Sequence, residues 1–264
     1  FKYGISVSDI STGIFKCCRV GTSDQVIDEI NKYQPSEIIY QDTVPNSGLE
    51  LDAIADKLHI SKTEAPAHYF DYDTSEATIK RHFHISSLEG LGLKDTPEIV
   101  VSTGAMLDYL YDTQMNSLKH INHIELYSVD SYMIIDSSTR RNLELTETMR
   151  DKQKKGSLLW VLDKTKTAMG ARKLREFVEQ PLLSKDAIEH RLDAIEAMNN
   201  ALITREELRE YLNTIYDLER LMTRISLKTA NPRDMLSFKN SIHYLPDIKN
   251  LLKELSADYY SEVY

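Results

Sequence analysis

Asp136-Ser-Ser-Thr-Arg140-Arg141-Asn142-Leu143-Glu144-Leu145 opens the stretch that divides this chain, and it runs on through Gly156-Ser-Leu-Leu-Trp160-Val-Leu-Asp163 and Thr167-Ala-Met169-Gly170-Ala-Arg172 to Gln180-Pro181. Before it, short strand-like and helix-like segments alternate. After it, every periodic segment is helical. The charge changes as well. Residues 137–180 hold eleven Lys/Arg against six Asp/Glu, whereas residues 1–136 hold ten against twenty-one and the whole chain carries −9. A basic, apolar-rich segment between two acidic ones reads as a hub on which other parts dock.

Working outward toward the N-terminus, Phe1–Ile10 places Ile5 and Val7 on one face, the period of two expected of a strand. Asp9-Ile-Ser-Thr-Gly13 is a turn and Ile14–Val20 a returning strand, so a hairpin is expected. Ser23 is the expected N-cap of a helix reaching about Tyr33, ended by Pro35. Glu37–Tyr40 reads as a short strand, residues 51–58 as a helix, and 59–72 as irregular. A weaker helix spans about Thr74–Phe83. Thr96-Pro97 starts another, with Val100, Gly104, Leu107 and Tyr111 on one face. Ile121–Tyr127 and Tyr132–Asp136 read as two final strands. The order predicts an α/β domain with a mixed sheet over residues 1–136.

Toward the C-terminus, residues 137–264 read as an all-α domain. One helix is expected over Thr139–Met149 and another over Ala171–Val178, stopped by Pro181. Ser184 opens the next, with Ile188, Leu192 and Ile195 inward. Thr204-Arg-Glu-Glu207 reads as a capping box before Leu208. Asp217-Leu-Glu-Arg220 begins a helix through Ile225, Asn231-Pro232 another, and Pro246 the last.

Composition excludes several classes. Hydrophobic content of 41% with 28% charged residues belongs to a globular chain rather than a disordered one. No apolar run approaches the roughly 20 residues of a membrane span, and there is no signal-peptide pattern, so no membrane partner is expected. Cys17 and Cys18 are adjacent in a strand and face opposite ways, which points to reduced thiols in a cytoplasmic protein and against a disulfide scaffold or zinc site. The pI of about 5.4 argues against phosphate-backbone binding over the whole surface. The chain opens on Phe1 inside a strand pattern, which suggests a fragment of something larger.

No Walker-type loop, no G-x-G-x-x-G after a strand and no G-x-S-x-G elbow occurs. Neither His82/His84 nor His120/His123 has helical metal spacing. Asp9, at the end of the first strand, is the acid most like a nuclease metal ligand, with Asp130 and Asp136 as companions. The simpler reading makes Asp9 the cap of its own turn. Arg140 and Arg141 lie just inside a helix start, where the macrodipole disfavours cations, so partners such as Asp136 or Glu144 are expected. Lys152, Lys154 and Lys155 read as a solvated turn and Trp160 as core. Arg220 and Arg224, with Glu219 nearby, read as an ion network.

Three blocks carry a resemblance. They are Asp136 to Leu145; Thr167-Ala-Met169-Gly170-Ala-Arg172-Lys-Leu174; and Asp217-Leu-Glu219-Arg220-Leu with Arg224 through Asn231-Pro232-Arg233-Asp234. Together with the opening Gly4-to-Phe15 run they resemble the MutS family of DNA mismatch repair proteins, across essentially the whole chain. The family signature residues are Asp136, Arg140, Arg141, Asn142, Glu144, Met169, Gly170, Arg172, Asp217, Glu219, Arg220, Arg224, Pro232 and Arg233.

The resemblance implies a connector domain over 1–136, ribonuclease H-like in fold but without nuclease activity, and part of a helical core and lever domain over 137–264. It implies a full-length homodimeric ATPase that binds mismatched duplex DNA, uses ATP/ADP with Mg, and recruits MutL through the connector. These residues lack the family's Phe-x-Glu mismatch-reading motif as well as the Walker motif. They are therefore expected to be non-catalytic, to hold no cofactor or metal, to be monomeric or weakly dimeric alone, and to couple mismatch-bound DNA to the ATPase. The alternative is a divergent ribonuclease H-like, metal-dependent nuclease with a helical appendage. It requires clustered carboxylates, which a connector does not.

Overall fold

The computed structural model describes residues 2–114 and 118–261. It divides the chain into two units, Phe1–Val129 and Asp130–Tyr264.

In the first unit, β1 (Tyr3–Asp9) and β2 (Ile14–Val20) form the expected antiparallel hairpin. Phe1, included in the sequence reading of that strand, lies outside the described residues. The helix α1 (Ser23–Tyr33) is capped one residue earlier than expected, by the Thr22 hydroxyl accepting from Gln25 N at 3.2 Å. Next come β3 (Glu37–Tyr40) and α2 (Leu51–Leu58). Within the stretch read as irregular lies β4 (Ser61–Glu64), paired parallel with β3 as a separate two-stranded sheet. Its sequence, Ser-Lys-Thr-Glu, has no apolar alternation, so its strand character comes from pairing with β3 rather than from pattern.

Asp71 caps α3 (Tyr72–Phe83) by accepting from Thr74 N at 2.9 Å. Pro97 occupies the first turn of α4 (Pro97–Thr113), as expected, but the Thr96 hydroxyl donates back to Leu93 O rather than capping the helix. Only Glu125–Leu126 (β5) of the expected strand over 121–127 pairs, parallel to β2, so the sheet β1-β2-β5 is mixed. A Lys16–Glu125 ion pair at 3.1 Å reinforces that junction. The second expected strand, over 132–136, is reduced to one antiparallel bridge from Tyr132 to Leu182, beside Met133 N donating to Pro181 O at 2.8 Å.

Two cores flank the hairpin. Phe15 and Cys17 pack with Ile79, Val100 and Leu107, while Cys18 and Val20 pack with Val26, Leu51 and Ile54. The adjacent cysteines thus enter different cores, as strand alternation requires. Both are free, fully buried thiols, pushed up to about 12 chiefly by burial. In the second core, buried Glu29 accepts from Lys32 Nζ at 2.8 Å and from the Tyr127 hydroxyl, so its charge is paired. Of the apolar face expected on α4, Tyr111 is half out of the core, its hydroxyl 2.7 Å from His82 Nδ1. His82 Nε2 donates to Ile121 O at 2.7 Å, an arrangement that suits the neutral ring, and burial holds its pKa below the usual histidine value.

The second unit is helical: α5 (Ser137–Asn142), α6 (Leu158–Leu162), α7 (Ala168–Glu179), α8 (Lys185–Asn200), α9 (Leu202–Asn213), α10 (Leu218–Ser226), α11 (Pro232–His243), α12 (Leu245–Lys253) and α13 (Asp258–Ser261). Several expectations need correction. The helix over Thr139–Met149 ends at Asn142, because Glu144 adopts φ +48° and the chain turns away. Trp160 is not core: it is 47% exposed, and Leu159 is the buried residue of α6. Ile188, Leu192 and Ile195 of α8 are also exposed, with Ala194 buried in their place. Thr204 does not cap α9, which starts at Leu202 without a side-chain cap. The capping box lies instead at Asn231 and Asp234, heading α11. Pro246 sits in the first turn of α12, which is followed by α13 and so is not the last helix.

Gly104 marks the closest approach of α3 and α4: a Cβ there would overlap Ser75 Cα and Cβ. Gly104→Ala is expected to destabilise the first unit by about 1–3 kcal/mol, the usual overpacking cost. Urea unfolding followed by far-UV circular dichroism measures it; an unchanged midpoint would show that the helices can separate freely.

Candidate functional site

The three signature blocks fall in the helical unit. In the first, the Asp136 carboxylate accepts from Thr139 N at 2.7 Å and caps α5. This hydrogen bond holds its carboxyl below the usual aspartate range. Because α5 is short, Arg140 and Arg141 occupy its last turn, not its first. The macrodipole there favours cations, so the expected penalty is absent. Arg140 Nη1 lies 3.8 Å from Glu179 Oε1 of α7, rather than meeting Asp136 or Glu144. Arg175 Nε also donates to that oxygen, at 3.0 Å.

Beyond Asn142, which is exposed, the Leu143-Glu144-Leu145 turn organises α6. Glu144 O accepts from Leu158 N at 3.0 Å and Leu145 O from Leu159 N at 2.8 Å. Ser157 Oγ accepts from Trp160 N at 3.2 Å. Three first-turn amides of a short helix are satisfied by protein groups, so none is left for a ligand. The Glu144 side chain accepts from Met149 N at 2.7 Å and fixes the following turn. Lys154 pairs with Asp163, whose Oδ1 also accepts from Thr165 N at 3.1 Å. Lys154 and then Thr165 hold the Asp163 carboxyl down to about 2.

The second and third blocks meet. In α7, half-buried Met169 and Gly170 occupy the first turn, and Gly170 N donates to the capping Thr167 hydroxyl at 3.0 Å. One turn on, Arg172 Nη1 and Nη2 donate to the two oxygens of Asp217, each at 2.8 Å, and Nη2 also reaches Glu219 Oε2. Asp217 heads α10, where it also caps Arg220 N at 3.4 Å. A planar guanidinium bound at two points fixes orientation as well as distance, which lysine cannot do. Arg220 Nε stays 3.7 Å from Asp217. Arg224 crosses from α10 to Asp234 of α11 at 3.0 Å. Asp234 is buried and forms the reciprocal cap with Asn231 beside Pro232, while Arg233 is exposed.

Arg172, Asp217 and Glu219 are thus one constellation, Arg224 with the Asn231–Asp234 turn a second, and Arg140 with Glu179 a third. Ser157, Asp163 and Glu179 make contacts that the sequence did not single out, and Asp234, quoted in the third block, was not marked as a cap or ion-pair partner. The Ser157-Leu158 and Asn231-Pro-Arg-Asp234 capping patterns were readable; Glu179, far from Arg140 in sequence, carried no local signal. Asp9, the tempting acid, is occupied by its own turn: its Oδ1 accepts from Ser11 N at 2.9 Å and Ser11 Oγ at 2.7 Å. Among the described residues no group of three or more His, Cys, Asp or Glu is placed to hold a metal ion.

Asp217 is held below the usual aspartate range, first by its hydrogen bond from Arg172. A carboxyl depressed on folding stabilises fully above its unfolded pKa, near about 3.9, and loses that contribution as pH falls through the lower folded value. Asp217→Asn is therefore expected to cost about 1–2 kcal/mol at neutral pH and to flatten the loss of stability on acidification. Urea titrations at a series of pH values measure both; parallel curves for the two proteins would remove the ion pair from the account.

A family model described as MutS domain II matches residues 2–122, and one described as MutS domain III matches residues 138–262. A protein of Lachnoclostridium phytofermentans named DNA mismatch repair protein MutS is 55% identical over 249 residues, covering 94% of this chain and 27% of the relative. Its namesakes in Ruminiclostridium cellulolyticum and Alkaliphilus oremlandii are each 43% identical, covering 97% and 98% of this chain and 29% and 30% of their own lengths. The chain spans less than a third of the length of these curated relatives. Two consecutive domain models of one family match the α/β unit and the helical unit in the order in which they follow along the chain, and on that ground the chain belongs to the MutS family of DNA mismatch repair proteins, as its domains II and III.

Proposed function

We propose that this chain is the non-catalytic coupling part of a mismatch repair ATPase: residues 1–136 act as connector, 137–264 as part of the core and lever domain. The observation that carries this is the Arg172–Asp217–Glu219 constellation. Seven signature side chains, Asp136, Arg140, Glu144, Arg172, Asp217, Glu219 and Arg224, are spent on capping helices, fixing turns or tying helices to one another. None is directed as a cluster at a substrate. Side chains used this way transmit orientation rather than perform chemistry.

In the full-length protein the same reading assigns ATP or ADP with Mg²⁺ to sequence outside these residues, since no phosphate loop occurs here. It assigns mismatched duplex DNA and a homodimer to the assembled cytoplasmic protein, and MutL to the connector surface. The nuclease alternative finds no supporting observation, because the Asp9 carboxylate is engaged in its turn.

Two experiments test the proposal. In full-length protein, Arg172→Met is expected to leave ATP hydrolysis without DNA near the wild-type rate and to abolish its response to mismatched duplex. Equal loss of both, or an unchanged response, would contradict a coupling role. Separately, a pull-down with the cognate MutL is expected to weaken on charge reversal of exposed acidic residues within 1–136; retention by every such variant would remove the connector from that contact.

A further inference from the structure

The C-terminal end of α7 is tied in two ways to the segment that leads into α5. One tie is backbone: Met133 N donates to Pro181 O at 2.8 Å, beside the bridge from Tyr132 to Leu182. The other is ionic. Glu179 Oε1 accepts from Arg175 Nε, one turn back on α7 itself, at 3.0 Å, and lies 3.8 Å from Arg140 Nη1 of α5. The first separation is a hydrogen bond, whereas the second is an ion pair without one. Yet Arg140 and Glu179 are the interior members of the trio, with side chains 12% and 10% exposed against 47% for Arg175.

Arg140 is incompletely partnered. Its Nε and Nη1 are buried and make no hydrogen bond. A guanidinium N–H shut away from both water and an acceptor is costly, and folded chains keep few of them. Because these atoms are covered, a further length of polypeptide would reach them only by displacing what covers them. The carboxylate that could relieve the cost is already beside them. A movement of about 1 Å would bring Glu179 within hydrogen-bond range of Arg140. The same movement would draw it off Arg175, whose half-exposed guanidinium water can solvate. One carboxylate thus faces two guanidiniums in unlike surroundings, and each arrangement leaves a different arginine short of a partner.

Glu179 follows Arg172 by seven residues, which places the two on one face of α7, about 10 Å apart along its axis. Arg172 grips α10 and Glu179 faces α5, so α7 is a rod with a two-point tie at one end and a looser tie at the other. We propose that Glu179 is a two-position latch: it exchanges between Arg175, its hydrogen-bond partner in this structure, and Arg140, with the backbone tie at 181–182 as the pivot. The proposal rests on the coupling function given above and supplies what that function requires, an element with two discrete arrangements.

The test uses the full-length protein. Structures are determined of its complex with mismatched duplex and of the protein bound to a non-hydrolysable ATP analogue. Glu179 is expected to be hydrogen-bonded to Arg140 in one and to Arg175 in the other; the same partner in both would overturn the latch. ATP hydrolysis is then measured with and without mismatched duplex for Arg140→Gln and Arg175→Gln, each alone and combined with Glu179→Gln. Removing one arginine biases the carboxylate toward the other. One variant is therefore expected to move the rate without DNA toward the mismatch-bound rate, and the other to move the mismatch-bound rate toward the rate without DNA, each by at least about twofold. Neither is expected to have a further effect once Glu179 is Gln. A static bridge would shift both variants the same way; that result, or an added effect in the Glu179→Gln background, would overturn the proposal. Should buried Arg140 tolerate no substitution, the two structures decide. An unchanged mismatch response in Arg172→Met would refute the coupling role itself, whereas its loss together with one fixed partner for Glu179 would refute the latch alone.

Discussion

The helical unit depends on one guanidinium. Arg172 projects from the second turn of α7 and grips both oxygens of Asp217, forty-five residues away and at the head of α10. Asp217 is also the N-cap of α10, so one carboxylate starts a helix and anchors it to another. With the cation 30% exposed and the carboxylate 18%, the pair avoids the full desolvation penalty of a buried bridge yet stays shielded enough to be more than a surface contact.

The two units are stabilised by different means. In the α/β unit, apolar clusters lie on both sides of a hairpin, and helix packing is close enough to require glycine at 104. In the helical unit, few large apolar side chains are buried, and the order among the helices comes from caps and ion pairs: Asp136 on α5, the Glu144 and Leu145 carbonyls on α6, Arg172 with Asp217, and Arg224 with Asp234. Such contacts are directional and individually modest, so they fix angles between helices without the depth of a packed core.

The hairpin was legible because alternation and a Gly-containing turn are local properties, and α4 because Thr96-Pro97 is a strong start. Strand β4 was not, since Ser-Lys-Thr-Glu becomes a strand only beside β3. The break in the helix after Asn142 was hidden because nothing in Glu144 advertises a left-handed backbone; the reason lies further on, at Leu158 and Leu159, where α6 needs the carbonyls that this turn presents. Trp160 misled for a related reason. Apolar type predicts burial only where a surface exists to bury against, and in α6 only Leu159 meets one among the described residues. The signature blocks marked which residues matter, but their pairing, Arg172 with Asp217 and Arg140 with Glu179, is a product of tertiary structure.

A double-mutant cycle at Arg172 and Asp217 tests the central claim most directly. Unfolding free energies are measured in urea for the wild-type chain, Arg172→Met, Asp217→Asn and the pair combined. The account predicts a coupling energy of about 1–3 kcal/mol, that of a two-point charged hydrogen bond between groups in contact. Additive effects, with coupling below about 0.5 kcal/mol, would show that α7 and α10 are held by something other than this ion pair.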